Sequence, residues 1–205
     1  MVHHFKTTQH VLQSNDLLGS TGGGVSFGVD FSSSIWNGLK NQMEQYDYFK
    51  VKMIEMIVKP TLSPTGVAAL SIVMSHRRAP WTYDWDDTPL FVPSNENYVI
   101  SDPRCKFWNV NRPIRFRFVP RRYIPIYPSN TSNATSTPAN MAGTVPMKGL
   151  GWMGTSGLTS TNPLANYAAA PVKMFIPASP DSSNVVQEYD TFTTIHWCGK
   201  KPVVN

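Results

Sequence analysis

Seventeen prolines and thirteen glycines are scattered along the whole of this 205-residue chain, and they leave almost no room for a long helix. Proline removes a backbone donor and glycine adds backbone entropy, so regular structure must fit into the short runs between them. Those runs alternate. In "GGGVSFGVDF", Val25, Phe27, Val29 and Phe31 share one parity, the period-2 signature of a half-buried strand. "HHFKTTQHVLQS" alternates loosely before it. In "YDYFKVKMIEMIVKP", Phe49, Val51, Met53 and Ile57 are expected on one face and Lys50 and Lys52 on the other. One helix is expected, from about Ser34 to Gln45, with Ser32, Ser33 or Ser34 as its cap and Trp36, Leu39 and Met43 at helical spacing.

Further along, the turn "TLSPTG" precedes "VAALSIVMS", an apolar run of strand length. "PWTYDWDDTPLFVPSNENYVI" reads as a broken, aromatic-rich strand and loop. "RCKFWNV", "IRFRFVP", "PVKMFIP" and "VVQEYDTFTTIHW" supply further strands, while residues 128–147 read as a Ser/Thr/Asn/Pro/Ala loop followed by a small-residue excursion to about 170. About eight strands, one short helix and long inter-strand loops predict an all-β fold. An antiparallel eight-stranded jelly roll spanning residues 1–205 is the expected architecture, with 1–20 as an extended arm and 128–170 as a long surface loop.

Charge is unevenly placed. Only 15% of residues are charged, below the usual quarter, and the formal net charge is +5. Between Pro103 and Pro180 there is no Asp or Glu, yet that stretch holds nine Lys and Arg residues. Five of the eight arginines fall within "NRPIRFRFVPRRY": Arg112, Arg115, Arg117, Arg121 and Arg122. Along "IRFRFV", Ile114, Phe116 and Phe118 point one way, and Arg115 and Arg117 point the other, about 7 Å apart. Guanidiniums in a row suit a phosphate backbone, which they would track without reading bases. They suit equally a ladder with acids on an adjacent strand, such as Glu55, or on a neighbouring subunit. Lys6 adds weakly to the same basic surface.

Other chemistry finds little support. Asp84, Asp86 and Asp87 form the acidic cluster, better suited to salt bridges than to a cation or a glycosidase site, for which more oxygen ligands or a second carboxylate would be needed. The five histidines form no catalytic set. "GLGWMG" matches a dinucleotide-binding spacing, but a proline-rich loop precedes it and no helix follows. Cys105 and Cys198 lack metal spacing and read as buried free thiols. Neither an enzyme nor a cofactor or metal site is expected. No apolar run approaches a membrane span and no signal-peptide core is present, so a soluble chain is expected, and the sequons at Asn130 and Asn133 read as chance matches.

Several segments resemble, in order, those of the capsid proteins of circovirus-like and cyclovirus-like circular single-stranded DNA viruses. "YDYFKVKMIEMIVKP" (Tyr46–Pro60) is similar to that family's aromatic and basic strand, and "TYDWDD" (Thr82–Asp87) to its acidic segment. "RPIRFRFVPR" (Arg112–Arg121), "KGLGWM" (Lys148–Met153), "YAAAPVKMFIP" (Tyr167–Pro177) and the strand from Tyr189 complete the series, covering about residues 30–200. The resemblance implies a jelly roll that assembles as sixty copies into a small icosahedral shell. It implies a virion protein with a nuclear assembly stage, DNA against the inner surface, and an exterior made of the long loops. It also implies an arginine-rich N-terminal arm, whereas residues 1–30 hold one lysine and no arginine. Either the arm has been trimmed or packaging differs. Sixty copies at +5 carry roughly +300, against at least about 615 phosphates in a genome encoding these residues alone. Particles of this chain are therefore expected to be poorly filled.

Two other classes remain open at this stage. One is a carbohydrate-binding sandwich with Trp81, Trp85 and Trp152 as a stacking platform. The other is a cellular single-strand binder that stacks bases on Phe116, Trp108 and Tyr123.

Overall fold

The computed structural model describes residues 1–13, 23–29, 31, 34–61, 78–85, 92–110, 112–126, 143–147, 151–155, 167–168, 171–177 and 188–201. At 11–13, 60–61, 122–126, 143–147, 167–168 and 188–189 only the backbone is described. The run 67–75, Ser32, Ser33, His76, Asp86, Asp87, Asn130, Asn133 and most of 128–170 lie outside the described residues.

Eight principal strands form two antiparallel sheets. Sheet A runs β1 (Val2–Gln13), β12 (Glu188–Lys200), β3 (Tyr48–Thr61), β6 (Ile114–Phe118), and sheet B runs β2 (Gly23–Phe27), β11 (Val172–Ile176), β4 (Arg78–Tyr83), β5 (Lys106–Asn109). The pairs nest: β1 with β12, β2 with β11, β3 with β6 and β4 with β5. A long hairpin wrapped onto itself in this way is a jelly roll, as expected. The pairs β12·β3 and β11·β4 join the turns of the roll.

The period-2 residues line the space between the sheets. Val25, Phe27, Val29 and Phe31 are all buried, as their parity predicts. Phe116 of sheet A stacks against Phe27 (ring centroids 5.9 Å apart) and meets Trp81 edge-on at 5.0 Å, both from sheet B. The helix near Ser34 is shorter than expected. A 3-10 turn (Ser34–Trp36) leads into α1 (Asn37–Met43), whose N-cap position is Trp36 with no side-chain cap. Its Trp36, Leu39 and Met43 are buried, which anchors it without a cap.

A second helix, α2 (Glu96–Ile100), lies within the segment read as strand and loop. The Asn95 side chain accepts the Tyr98 N–H at 3.0 Å, satisfying one of its free donors. The helix packs on β4 and β11 over the outer face of sheet B. That cover explains a fully buried lysine on β11: Lys173, opposite Ser26 and Thr82, donates to Ser26 Oγ at 3.3 Å.

Parity in β3 departs from expectation. His196 faces Met53 and Trp197 faces Val51, so Lys52 has no opposite residue on β12. This β-bulge shifts the strand's phase by one residue. Phe49 and Val51 point inward before it, and Ile54, Met56 and Val58 after it. Met53 and Ile57, expected beside Phe49 and Val51, turn to the outer face with Glu55 and are half-buried.

Between β6 and β11 the chain makes a third sheet, β10 (Tyr167–Ala168), β7 (Arg121–Ile126), β8 (Gly143–Met147), while β9 (Met153–Gly154) pairs with the start of β3. β8 corrects the reading of 128–147 as loop throughout. Its proline and that of β7 hide the strand signal. Pro125 of β7 faces Thr144 of β8, and Pro146 of β8 faces Tyr123 of β7.

Candidate functional site

The outer face of sheet A carries the basic side chains. On β6, Arg115 and Arg117 point away from the core, each slightly more than half-exposed, while Phe116 between them is fully buried. The two-faced strand is therefore as its sequence predicts. Their partner is Glu55 on β3, directly opposite Arg117 in register. Glu55 Oε1 accepts Arg115 Nε at 2.9 Å and Arg117 Nη2 at 3.4 Å. The carboxylate is only 14% exposed and its other oxygen lies 3.7 Å from His196 Nε2 on β12. The cross-strand ladder with Glu55 thus exists, but one carboxylate serves two guanidiniums. A net positive charge remains on this edge of the sheet, and half-exposed guanidiniums keep free donors for an anion.

Lys6 stands on the same face at the opposite edge, on β1, opposite His196. The face is widened by residues the sequence reading did not single out. Lys52 sits at the bulge, and Lys59 lies over the Phe192 ring at 4.7 Å. His10 stacks on the same ring, centroids 4.5 Å apart, with Nε2 3.1 Å from Asp190 Oδ1. Alternation along β1 and β12 could have found His4, His10 and His196. The bulge that brings Lys52 and Met53 into place leaves no mark in the residue pattern.

The remaining arginines of "NRPIRFRFVPRRY" go elsewhere. Arg112 is exposed in the turn between β5 and β6, where its carbonyl accepts the Trp108 indole N–H at 2.7 Å. Arg121 opens β7 and lies over Trp85 at 4.5 Å, on the flank of the sandwich rather than on the face of sheet A. Burial first, then the nearby Arg104 guanidinium, lowers its pKa from the ordinary arginine value. Arg122 pairs through its backbone with Met147 and Tyr167, and its side chain lies outside the described residues. Pro120, just before β7, accompanies the change of direction that divides the cluster.

The acid-free stretch is partly neutralised by its neighbours. Asp102, just before it, takes Arg104 through two hydrogen bonds from the guanidinium and one from the backbone N–H, and it accepts the Thr82 hydroxyl at 2.7 Å. The Arg104 side-chain bonds hold the Asp102 carboxyl well below the usual carboxylate range, against an opposing effect of burial. The same pair raises the Arg104 pKa. Asp84, expected in an acidic cluster, accepts the Tyr98 hydroxyl at 2.8 Å.

Most of the proposed stacking residues are engaged elsewhere. Trp81, Trp108 and Phe116 are core residues, while Trp85 lies under Arg121 and Trp152 alone of the platform is exposed. The Tyr123 side chain lies outside the described residues. Cys198 is buried and free, as expected, but Cys105 is only half-buried. Burial raises the Cys105 thiol pKa.

A family model described as circovirus capsid protein matches residues 1–202. Among solved structures, the BFDV capsid protein in a 60-mer superposes with a TM-score of 0.65 at 14% identity, covering 100% of this chain and 96% of that one. The decameric BFDV capsid protein gives a TM-score of 0.51 at 12% identity, with 98% and 100% covered. At these identities the likeness is one of fold. No curated protein sequence matches the chain.

Proposed function

The chain belongs to the circovirus capsid protein family, and from that premise we propose that it closes into an icosahedral shell of sixty copies whose inner surface holds single-stranded DNA. The role is structural rather than catalytic, and its place is the virion. The BFDV relative forms a 60-mer, and the jelly roll gives this chain the same kind of building block. Assembly would take place in the host nucleus, and the long segments between strands would form the exterior.

One observation carries the DNA contact: Arg115 and Arg117 stand half-exposed and adjacent on the outer face of sheet A, with Glu55 as their shared carboxylate. A phosphate chain is the ligand such a face suits, because it needs many weak contacts and no base reading. Lys6 continues the basic character to the other edge of sheet A, and Arg112, Arg121 and Arg122 would supplement it from the turn and flank.

The test is to assemble the protein, digest outside nucleic acid with nuclease, and compare particles by negative-stain microscopy and A260/A280. Arg115→Glu with Arg117→Glu is expected to leave shells intact while reducing retained DNA. Folded subunits that no longer assemble would make the arginines a subunit contact instead. A species of single-chain mass under all salt conditions would remove the shell.

A further inference from the structure

The bulge at Lys52 builds a cavity as well as shifting phase. From its unpaired position Lys52 reaches across β12, where its Nζ donates to His4 Nδ1 on β1 at 3.3 Å. Cys198 Sγ approaches the same nitrogen at 3.5 Å. A lysine ammonium can only donate, so His4 Nδ1 accepts and the ring proton sits on Nε2. Beside it, His196 Nε2 is buried and has no hydrogen-bond partner among the described residues. It stands 3.7 Å from Glu55 Oε2, beyond hydrogen-bonding distance. His4, Phe5, Lys6, Lys52, His196 and Trp197 enclose a half-open cavity of about 260 Å3.

We infer that this cavity receives a single phosphate group of a nucleic-acid strand, with Lys6 and Lys52 supplying the charge and the His4 ring supplying the N–H left on Nε2. Lys52 keeps further N–H donors beyond the one given to His4, and a phosphate oxygen would accept them. Two lysines line the opening, and the Glu55 carboxylate near His196 is already shared by Arg115 and Arg117, so the net sign is positive. The volume lies below the ~300–1,000 Å3 of sites for drug-sized molecules, which favours one oxyanion with its waters over a base. The phosphate contact adds a fixed point at the β1 side of sheet A, remote from Arg115 and Arg117 on β6. The inference rests on sheet A facing DNA, so the experiment must separate the two.

The assembled, nuclease-treated protein is titrated by calorimetry with inorganic phosphate against a chloride background of matched ionic strength, and separately with a ten-residue oligodeoxythymidylate. Saturable phosphate binding is expected. Lys52→Gln should weaken it about tenfold, the worth of one charge-assisted hydrogen bond, while Lys52→Arg keeps it. For the oligonucleotide, Lys52→Gln should lower the slope of log K against log salt by about 0.7, one phosphate contact on a single strand. Absence of saturable phosphate binding, or an unchanged affinity in Lys52→Gln, would overturn the cavity. So would oligonucleotide binding that depends on Arg115 and Arg117 but not on Lys52. Phosphate binding without oligonucleotide binding in any variant would overturn the nucleic-acid assignment of the whole face.

Discussion

Glu55→Gln isolates the arginine pair with the smallest change of shape. The carboxylate is 14% exposed, and the guanidiniums it holds are 54% and 56% exposed. Ion pairs of that exposure contribute about 0.5–1 kcal/mol each, so losing both costs about 1–2 kcal/mol, less what the glutamine carbonyl recovers. The fold should survive with a slightly lower melting temperature. The binding effect runs the other way. Removing one carboxylate uncovers one positive charge, and one more phosphate neutralised on a single strand adds about 0.7 to the salt slope. A slope steeper by about 0.7 means that, between 0.1 and 0.3 M NaCl, the variant loses about twofold more affinity than the parent. Fluorescence anisotropy with a labelled oligodeoxythymidylate across that range measures it. Glu96→Gln is the control, the same charge change on α2 over sheet B. An unchanged slope in Glu55→Gln, or an equal steepening in Glu96→Gln, would refute the reasoning. The first would mean that the arginines do not meet phosphate, and the second that only net charge matters.

Two further predictions concern the frame that holds this face. A methyl group on Gly24 would run into the Pro93 carbonyl, whereas one on Gly23 meets nothing. Gly24→Ala should therefore destabilise by about 1–3 kcal/mol, as overpacking does, with Gly23→Ala much milder, and equal melting temperatures would show that β2 does not pack there. For Asp102, the folded pKa is depressed, so its contribution is fully present above the unfolded value near ~3.9 and is lost as pH falls through the folded one. Asp102→Asn should lower stability by about 1–3 kcal/mol at neutral pH and flatten the loss of stability below about pH 4. A parallel acid limb in the two proteins would show that the Arg104 pairing is not what sets it.

The residues legible in the sequence were those whose partners do not change their phase. Val25 to Phe31 and Ile114 to Phe118 keep strict alternation, and both lie as alternation requires. β3 does not, because the bulge at Lys52 is set by its partner β12, some 140 residues later, and nothing local encodes it. α2 carries a readable cap at Asn95 and an acidic Glu96, but five residues give no helical period to detect. The arginine cluster was legible as a group only along β6. Beyond Pro120 the chain leaves the sheet, so neighbours in sequence become separate in space. Stacking roles for Trp108 and Phe116 failed for a related reason, since aromatic character suits a base and a core equally well. Glu55 was visible as a candidate partner, but only register could show that it serves both arginines.

The nesting of strands also orders the molecule in time. Among the described residues β1 pairs in sheet A only with β12, so the partner of Val2–Gln13 there is missing until residues 188–200 have been synthesised. Contacts so distant in sequence are slow to form, and a chain emerging from its N-terminus must hold its first strand in waiting. β3 and β6 can meet much earlier, which brings Glu55 to its arginines while the last strand is still missing. The basic face is therefore made in two instalments: an arginine edge that can form on a nascent chain, and a lysine–histidine edge that exists only after the final strand slides between β1 and β3. A chain cut short before that strand would keep the first edge and lack the second.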